Sequence, residues 1–166
     1  MALRTIRTEG DPVLNKTCRP VKEVTPRIRT LVEDMLETMY DANGVGLAAP
    51  QVGILKRIVV IDVGEGPIIL INPEMLETSG EQTGDEGCLS VPGMAGTVTR
   101  PMNVKVRAYD LDMNEQIYEG EELLARAFCH ELDHLEGKLY TSLVEGGLHE
   151  VTYEDEEDGE DGETEE

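Results

Sequence analysis

Two histidines one helical turn apart constrain this chain more than any other feature of its sequence. His130 and His134 stand in the segment His-Glu-Leu-Asp-His, inside a run at 121–135 that is typical of a helix. Side chains at i and i+4 lie on the same face of a helix, so both imidazoles can reach one ion. Glu131 follows the first histidine, where a carboxylate can take a proton from a metal-bound water. Any fold of this chain must leave that helix face open to a metal ion, and the segment indicates hydrolysis of an amide.

Length and composition favour one domain with an aliphatic core. The chain has 166 residues, of which 39% are apolar, with one Phe, five Tyr and no Trp. That apolar content is enough to build one core. No run of about 18 apolar residues is present and the N-terminus lacks the apolar stretch of a secretory signal, so we expect neither a membrane span nor export. Cys18, Cys88 and Cys129 are odd in number and widely spaced, which favours free thiols and a cytoplasmic location.

The negative charge is concentrated at the C-terminal end. The net charge is −21, from 35 acidic and 14 basic residues, and 12 of the acidic residues lie at 145–166, where no Lys or Arg occurs. The rest of the chain carries the other 23 acidic residues and all 14 basic residues, a charge balance that is ordinary for a soluble enzyme. We therefore predict a catalytic domain over residues 1–148 and an acidic, disordered tail over residues 149–166. The charge excludes general binding to nucleic acid, because it would repel the phosphates.

Apolar periodicity predicts two long helices separated by strands. The first helix opens at Thr25 and Pro26, a capping hydroxyl followed by proline at the first helical position, and ends before Asn43 and Gly44. The second begins at about Glu121 and stops at Gly137. Between the helices, short apolar or alternating segments predict strands at 57–62, 67–72, 104–108 and 116–118.

A hydrolytic metal site needs a third protein ligand and one open position. The downstream candidates lie on no convincing helix: Glu145, His149, Glu150 and Glu154. We interpret His149 as a solvated side chain. The upstream segment Glu-Gly-Cys-Leu-Ser at 86–90 offers Cys88, whose thiolate suits a borderline or soft divalent ion. Cys129 points about 100° round the helix from His130, so we interpret it as a small buried residue.

A third segment supplies small apolar residues and an amide. Residues 44–51 read Gly-Val-Gly-Leu-Ala-Ala-Pro-Gln, so their backbone can approach a ligand closely. The segment ends in Gln51, a neutral N–H donor of the kind that stabilises negative charge on the oxygen of an amide under attack. As a glycine-rich loop alone this signal is weak, since it lacks the spacing of a phosphate-binding loop.

Taken together, these three segments resemble the peptide deformylase family. That family is marked by G-x-G-x-A-A-x-Q, E-G-C-L-S and H-E-x-D-H, and all three stand in this order at 44–51, 86–90 and 130–134. The resemblance covers roughly residues 4–144. It implies a small α+β fold in which antiparallel sheets wrap around a central C-terminal helix that carries H-E-x-x-H.

The resemblance implies a hydrolase of protein biosynthesis and N-terminal processing. Such an enzyme removes the formyl group from the N-terminal formyl-methionine of newly made proteins and releases formate. Metal-bound hydroxide would attack the formyl carbon, with Glu131 as general base and then acid, and with Gln51 and the backbone N–H of Leu89 as the oxyanion hole. The metal would be Fe2+, which Zn2+, Ni2+ or Co2+ can replace, and its ligands would be Cys88, His130 and His134.

The resemblance also implies how the nascent peptide is bound. Backbone groups of Val45, Gly46 and Gly87 would align the substrate as an added strand. The methionine pocket would be lined by Val45 and by three residues of the second helix: Leu123, Arg126 and Ala127. Such an enzyme would work near the ribosome, but the acidic segment after Leu143 argues against docking through the basic C-terminal helix that some relatives use.

Two alternatives remain open on the residues alone. A zinc endopeptidase with a downstream glutamate ligand would cleave internal peptide bonds and would be indifferent to Cys88→Ser. A catalytically silent binding module that acts through its acidic tail would tolerate Glu131→Ala but suffer from deletion of the tail.

Overall fold

Two antiparallel sheets wrap around the helix that carries both histidines, which confirms the predicted α+β class. The computed structural model describes residues 2–151. Its helices and strands are α1 (Pro26–Asp41), β1 (Gly46–Ala48), β2 (Ile58–Ile61), β3 (Ile68–Ser79), β4 (Gln82–Cys88), β5 (Val91–Arg100), β6 (Asn103–Tyr109), β7 (Glu115–Glu121), α2 (Glu122–Leu135) and β8 (Glu145–Glu150). One sheet has the order β1-β2-β3-β6-β7 and the other β4-β5-β8. Helix α2 contacts strands of both sheets.

Helix α1 forms where the sequence predicts it. The Thr25 hydroxyl accepts a hydrogen bond from the Ile28 N–H at 3.2 Å, and Pro26 occupies the first turn, where it costs no hydrogen bond. Its buried apolar stripe packs, together with the inner residues of β1 and β2, into one of two large clusters of the core: Ile28, Leu31, Val32, Met35 and Met39.

Helix α2 is unusual because four polar side chains lie on its buried surface. Ala125, Phe128 and Leu135 join the second large cluster of the core with residues of β2, β3 and β6. The same helix also buries Arg126, His130, Glu131 and His134. Burying polar groups is costly unless they are paired, so this surface indicates either a bonding network or a functional site.

The predicted strands are confirmed, but a whole sheet was missed. β2, β3, β6 and β7 lie at the predicted positions, and β3 continues to Ser79 through two irregularities of register. The sheet β4-β5-β8 was not predicted, because its strands are rich in glycine and polar residues. The glycine-rich segments at 44–51 and 86–90 are partly regular: the first contains β1 and a 3-10 turn, and Cys88 ends β4.

Two residues of the predicted tail lie in the last strand. His149 and Glu150 belong to β8, which pairs with β5, and the Val151 N–H donates to the Gly93 carbonyl at 2.8 Å. Residues 152–166, the rest of the predicted tail, lie outside the described residues, so the division into a domain and a tail stays a prediction. Within residues 2–151, no helix combines the length and the apolar character that crossing a membrane requires.

Helix α2 is followed by Gly137, at a position where any side chain would clash with the backbone. Gly137 has φ +78°, and a Cβ atom there would lie 2.7 Å from the carbonyl carbon and 2.8 Å from the carbonyl oxygen of Asn15. The turn after α2 is thus packed directly on the backbone of the N-terminal segment.

We expect Gly137→Ala to lower the free energy of unfolding by about 3 kcal/mol or more, because it adds a backbone clash to the cost of positive φ. Gly146→Ala is the matched control, since Gly146 has φ +80° with no atom within 4 Å of the new methyl group. The control should lose only about 1 to 2 kcal/mol. Denaturant unfolding of both variants measures the difference, and equal losses would contradict the packing described for Gly137.

Candidate metal centre

Three side chains from two elements converge on one point. The sulfur of Cys88, at the end of β4, and nitrogens of His130 and His134, on α2, all lie within 4.8 Å of one another. The Cys88 Sγ lies 3.4 Å from His134 Nε2. Both histidines are buried and Cys88 is partly exposed. The structure thus places the predicted upstream thiol, and not a described downstream residue, beside the two histidines.

The described downstream candidates are exposed and are not part of this cluster. All residues of β8, including Glu145 and Glu150, are exposed. His149 is exposed and its Nε2 lies 3.6 Å from the Asp85 carboxylate. Glu154 lies outside the described residues.

The donors fit a divalent metal ion. One thiolate and two imidazoles form a common ligand set for catalytic zinc and related ions. Burial lowers the pKa of His134 to about 3, so its imidazole is neutral at pH 7, as a metal ligand must be. The buried Glu131 Oε1 has no hydrogen-bond partner among the described residues. An orphaned polar atom of this kind is expected beside an ion and its water.

A buried carboxylate orients the first histidine. Glu86 Oε1 lies 3.0 Å from His130 Nδ1, which leaves Nε2 to face the cluster. Arg100 donates to both oxygens of Glu86, at 2.7 and 3.0 Å, and Arg126 donates to Oε2 at 2.8 Å. Burial alone would raise the pKa of Glu86, but hydrogen bonds with His130 and Arg100 lower it to about 2. The carboxylate is therefore charged at neutral pH.

Glu131 is enclosed against a glycine. A Cβ atom at Gly46 would lie 2.5 Å from Glu131 Oε2, so the space of a side chain at that position is taken by the carboxylate. Burial raises the pKa of the Glu131 carboxyl to about 7. The side chain lines the same cavity as Cys88 and His130. A carboxyl group in this position can accept and return a proton.

Gln51 is buried, and its amide is held on both sides. The Ala48 backbone N–H donates to Oε1 at 2.9 Å, and Nε2 donates to the Ser90 hydroxyl at 3.0 Å. Nε2 also lies 3.6 Å from Cys88 Sγ. An N–H group is therefore presented beside the metal ligands, as the sequence predicts for an oxyanion donor.

A cavity of about 480 Å³ opens next to the cluster. All six predicted substrate-binding residues line it: Val45, Gly46, Gly87, Leu123, Arg126 and Ala127. Leu89 lies in the turn between β4 and β5 and lines it as well. Because the Arg126 guanidinium is bonded to Glu86 and to the Val98 carbonyl, that residue offers the cavity its stem and not a free charge.

Sequence reasoning missed several residues of this site. Glu86 was noted only as part of a motif, and Arg100 and Ser90 were given no role. The β5 residues that line the cavity, including Val91, Pro92 and Met94, were missed because their sheet was not predicted. Arg100 lies twelve residues past Cys88 along the chain. Nothing in the local sequence at 86–88 indicates that this arginine binds Glu86.

Comparisons with known proteins agree with this geometry. The model of the polypeptide deformylase family matches residues 3–147. A peptide deformylase of Agathobacter rectalis is 76% identical over 155 residues, which cover 93% of this chain and 98% of that protein. One from Lachnoclostridium phytofermentans is 66% identical over 163 residues, which cover 96% and 100%. The crystal structure of peptide deformylase from Thermotoga maritima matches with a TM-score of 0.84 at 42% identity, covering 86% of this chain and 98% of that one.

We expect Cys88→Ser to lose bound metal, because a neutral hydroxyl replaces a thiolate. Cys129→Ala is the matched control. It removes a buried thiol that precedes His130 in the sequence but is not part of the cluster. Metal content after dialysis, measured by elemental mass spectrometry, should fall in Cys88→Ser and not in Cys129→Ala. Full metal retention by Cys88→Ser would show that the third ligand is another residue.

Proposed function

This chain belongs to the polypeptide deformylase family of metal-dependent hydrolases, which remove N-terminal formyl groups, and we propose that its substrate is the formyl-methionine at the start of newly made proteins, with formate as the product. One observation carries the proposal: two histidines and an upstream thiol converge beside one cavity, which a buried carboxylate and an oriented amide also line. An internal peptide bond would need a cleft that is open at both ends of the scissile bond. A formyl group needs room for one carbon and its oxygen.

The metal would be held by Cys88 Sγ and by Nε2 of His130 and His134. We propose Fe2+ as the ion, with Zn2+, Ni2+ or Co2+ as substitutes, since a thiolate with two imidazoles suits all of these. When bound, the ion supplies a Lewis acid that lowers the pKa of a water molecule. Glu86 would keep His130 in the tautomer that leaves Nε2 free for the ion.

Glu131 would move the protons. Its Oε1 is buried without a hydrogen-bond partner among the described residues, so this oxygen is free to accept a proton from the attacking water. The missing side chain of Gly46 leaves the space that this carboxylate occupies. The same carboxyl group would then return the proton to the departing amine of methionine.

Gln51 and the backbone N–H of Leu89 would stabilise the formyl oxygen as it becomes negative. The Ala48 N–H can only donate, so the atom that faces it must be Gln51 Oε1, and the NH2 group must face Cys88. A donor that is fixed before the reaction costs no reorganisation during it. Loss of one such donor raises the barrier by about 3 to 4 kcal/mol.

The substrate backbone would fill the gap between two sheet edges. β1 is the edge of the five-stranded sheet and β4 is the edge of the three-stranded sheet, and Val45, Gly46 and Gly87 from these edges line the cavity. Unpaired edge strands accept an added strand. The methionine side chain would then lie against Val45, which is 41% exposed, Leu123, which is 50% exposed, and Ala127. The partners we propose are thus nascent formyl-methionine peptides.

We expect the iron-loaded protein, prepared without oxygen, to release formate from a formyl-methionine tripeptide. Glu131→Gln should lower kcat by about 100-fold or more with metal retained, because an amide cannot accept the proton. Glu136→Gln is the matched control just past the end of the same helix, where the carboxylate is half-exposed and binds Arg57. Formate assayed enzymatically measures turnover. No release by the iron-loaded wild type, or cleavage of internal bonds in unformylated peptides, would contradict the proposal.

A further inference from the structure

We propose that the Ser90 hydroxyl is a positioning group that fixes the direction in which the Gln51 amide presents its N–H to the substrate. This inference rests on the proposed function, in which Gln51 stabilises the formyl oxygen. Ser90 is fully buried in the turn between β4 and β5 and does not line the cavity. It therefore acts through Gln51 and not on the substrate.

The hydrogen bonds of the Gln51 amide fix where each of its polar atoms points. Its Oε1 is taken by the Ala48 N–H at 2.9 Å, which sets the face of the amide that carries the NH2 group. That group has two hydrogens in fixed directions about 120° apart, as for any planar amide. One hydrogen is directed to Ser90 Oγ at 3.0 Å. The other points towards Cys88 Sγ, 3.6 Å away, beside the space where the reaction takes place.

Without the hydroxyl, the amide would keep only the Ala48 bond and the long 3.6 Å contact of Nε2 with Cys88 Sγ. The Ala48 bond fixes the position of Oε1, but the amide plane can still turn about that bond. A second bond on the opposite side of the amide removes this freedom. The Ser90 hydroxyl thus sets the direction of the second N–H, and a donor turned away from the forming oxyanion loses most of its effect.

The backbone around Ser90 is held independently of its hydroxyl. The Glu9 N–H donates to the Ser90 carbonyl at 2.7 Å, and the Arg7 N–H donates to the Gln51 carbonyl at 2.7 Å. One N-terminal segment therefore holds both residues through alternate amides. The Ser90 N–H lies 3.5 Å from Cys88 Sγ and directs its hydrogen to the sulfur. All of these contacts persist in Ser90→Ala, so that variant changes the amide direction and leaves the thiolate contact intact.

We expect Ser90→Ala to lower kcat by about 10- to 100-fold, the usual effect of losing a group that orients another. KM and metal content should stay unchanged, because neither substrate nor metal touches the hydroxyl. Thr38→Val is the matched control: it removes another buried hydroxyl, which accepts from the Arg4 N–H at 2.9 Å on α1, away from the cavity. The control should lose stability and keep full kcat.

A double-mutant cycle separates positioning from a general structural role. In a Gln51→Met background, which removes the donor at similar volume, Ser90→Ala should cost no further activity. Equal losses with and without Gln51 would overturn the proposal, and so would full activity of Ser90→Ala. If the wild type itself releases no formate, the proposed function fails, and the direction of the amide is then decided by the next measurement alone.

That measurement needs neither metal nor turnover. In metal-free protein labelled with 15N, the side-chain amide of Gln51 should be protected from hydrogen exchange in the wild type. In Ser90→Ala its exchange should be faster by about 10-fold or more, since one of its buried bonds is lost. An unprotected amide in the wild type, or equal exchange in both proteins, would overturn the inference even if the variant were too unstable to assay.

Discussion

The buried carboxylate of Glu86 is the contact on which this structure depends. It joins three elements, because it sits on β4 and binds Arg100 of β5 and both Arg126 and His130 of α2. A charge taken out of water is costly, and here three partners compensate that cost. Removing one partner of such a buried pair typically costs about 3 to 5 kcal/mol. Arg100 extends the network to Asp133 on the next turn of α2 at 2.9 Å.

The same contact brings together the three side chains that we propose as metal ligands. Cys88 lies two residues beyond Glu86 on β4, and the pairing of β4 with β5 is irregular between these two residues. Irregularities of this kind turn a side chain from its regular direction and are common beside functional sites. Because Glu86 docks β4 on α2, the sulfur arrives beside His130 and His134, and His130 is oriented by the same carboxylate. The ligands thus come from distant parts of the chain but are positioned by one buried network.

Much of the site could be predicted because its signals are local. His130, Glu131 and His134 follow from helical spacing, and α1 from its cap and apolar stripe. The roles of Cys88 and Gln51 needed the resemblance of three segments to one protein family, since a lone thiol or amide is ambiguous. The sheet β4-β5-β8 could not be predicted, because its strands lack apolar alternation and are held by backbone pairing and by Arg100. The role that we propose for Ser90 depends on a contact with a residue 39 positions away, which no spacing rule reveals.

The central claim is that an upstream thiolate completes the metal site of the helix. X-ray absorption spectroscopy of the metal-loaded wild type tests it most directly, because sulfur and nitrogen ligands scatter differently. The structure predicts one sulfur and two imidazole nitrogens bound to the ion, which are Cys88, His130 and His134. Coordination by nitrogen and oxygen alone would contradict the claim and would favour a glutamate downstream of α2 as the third ligand.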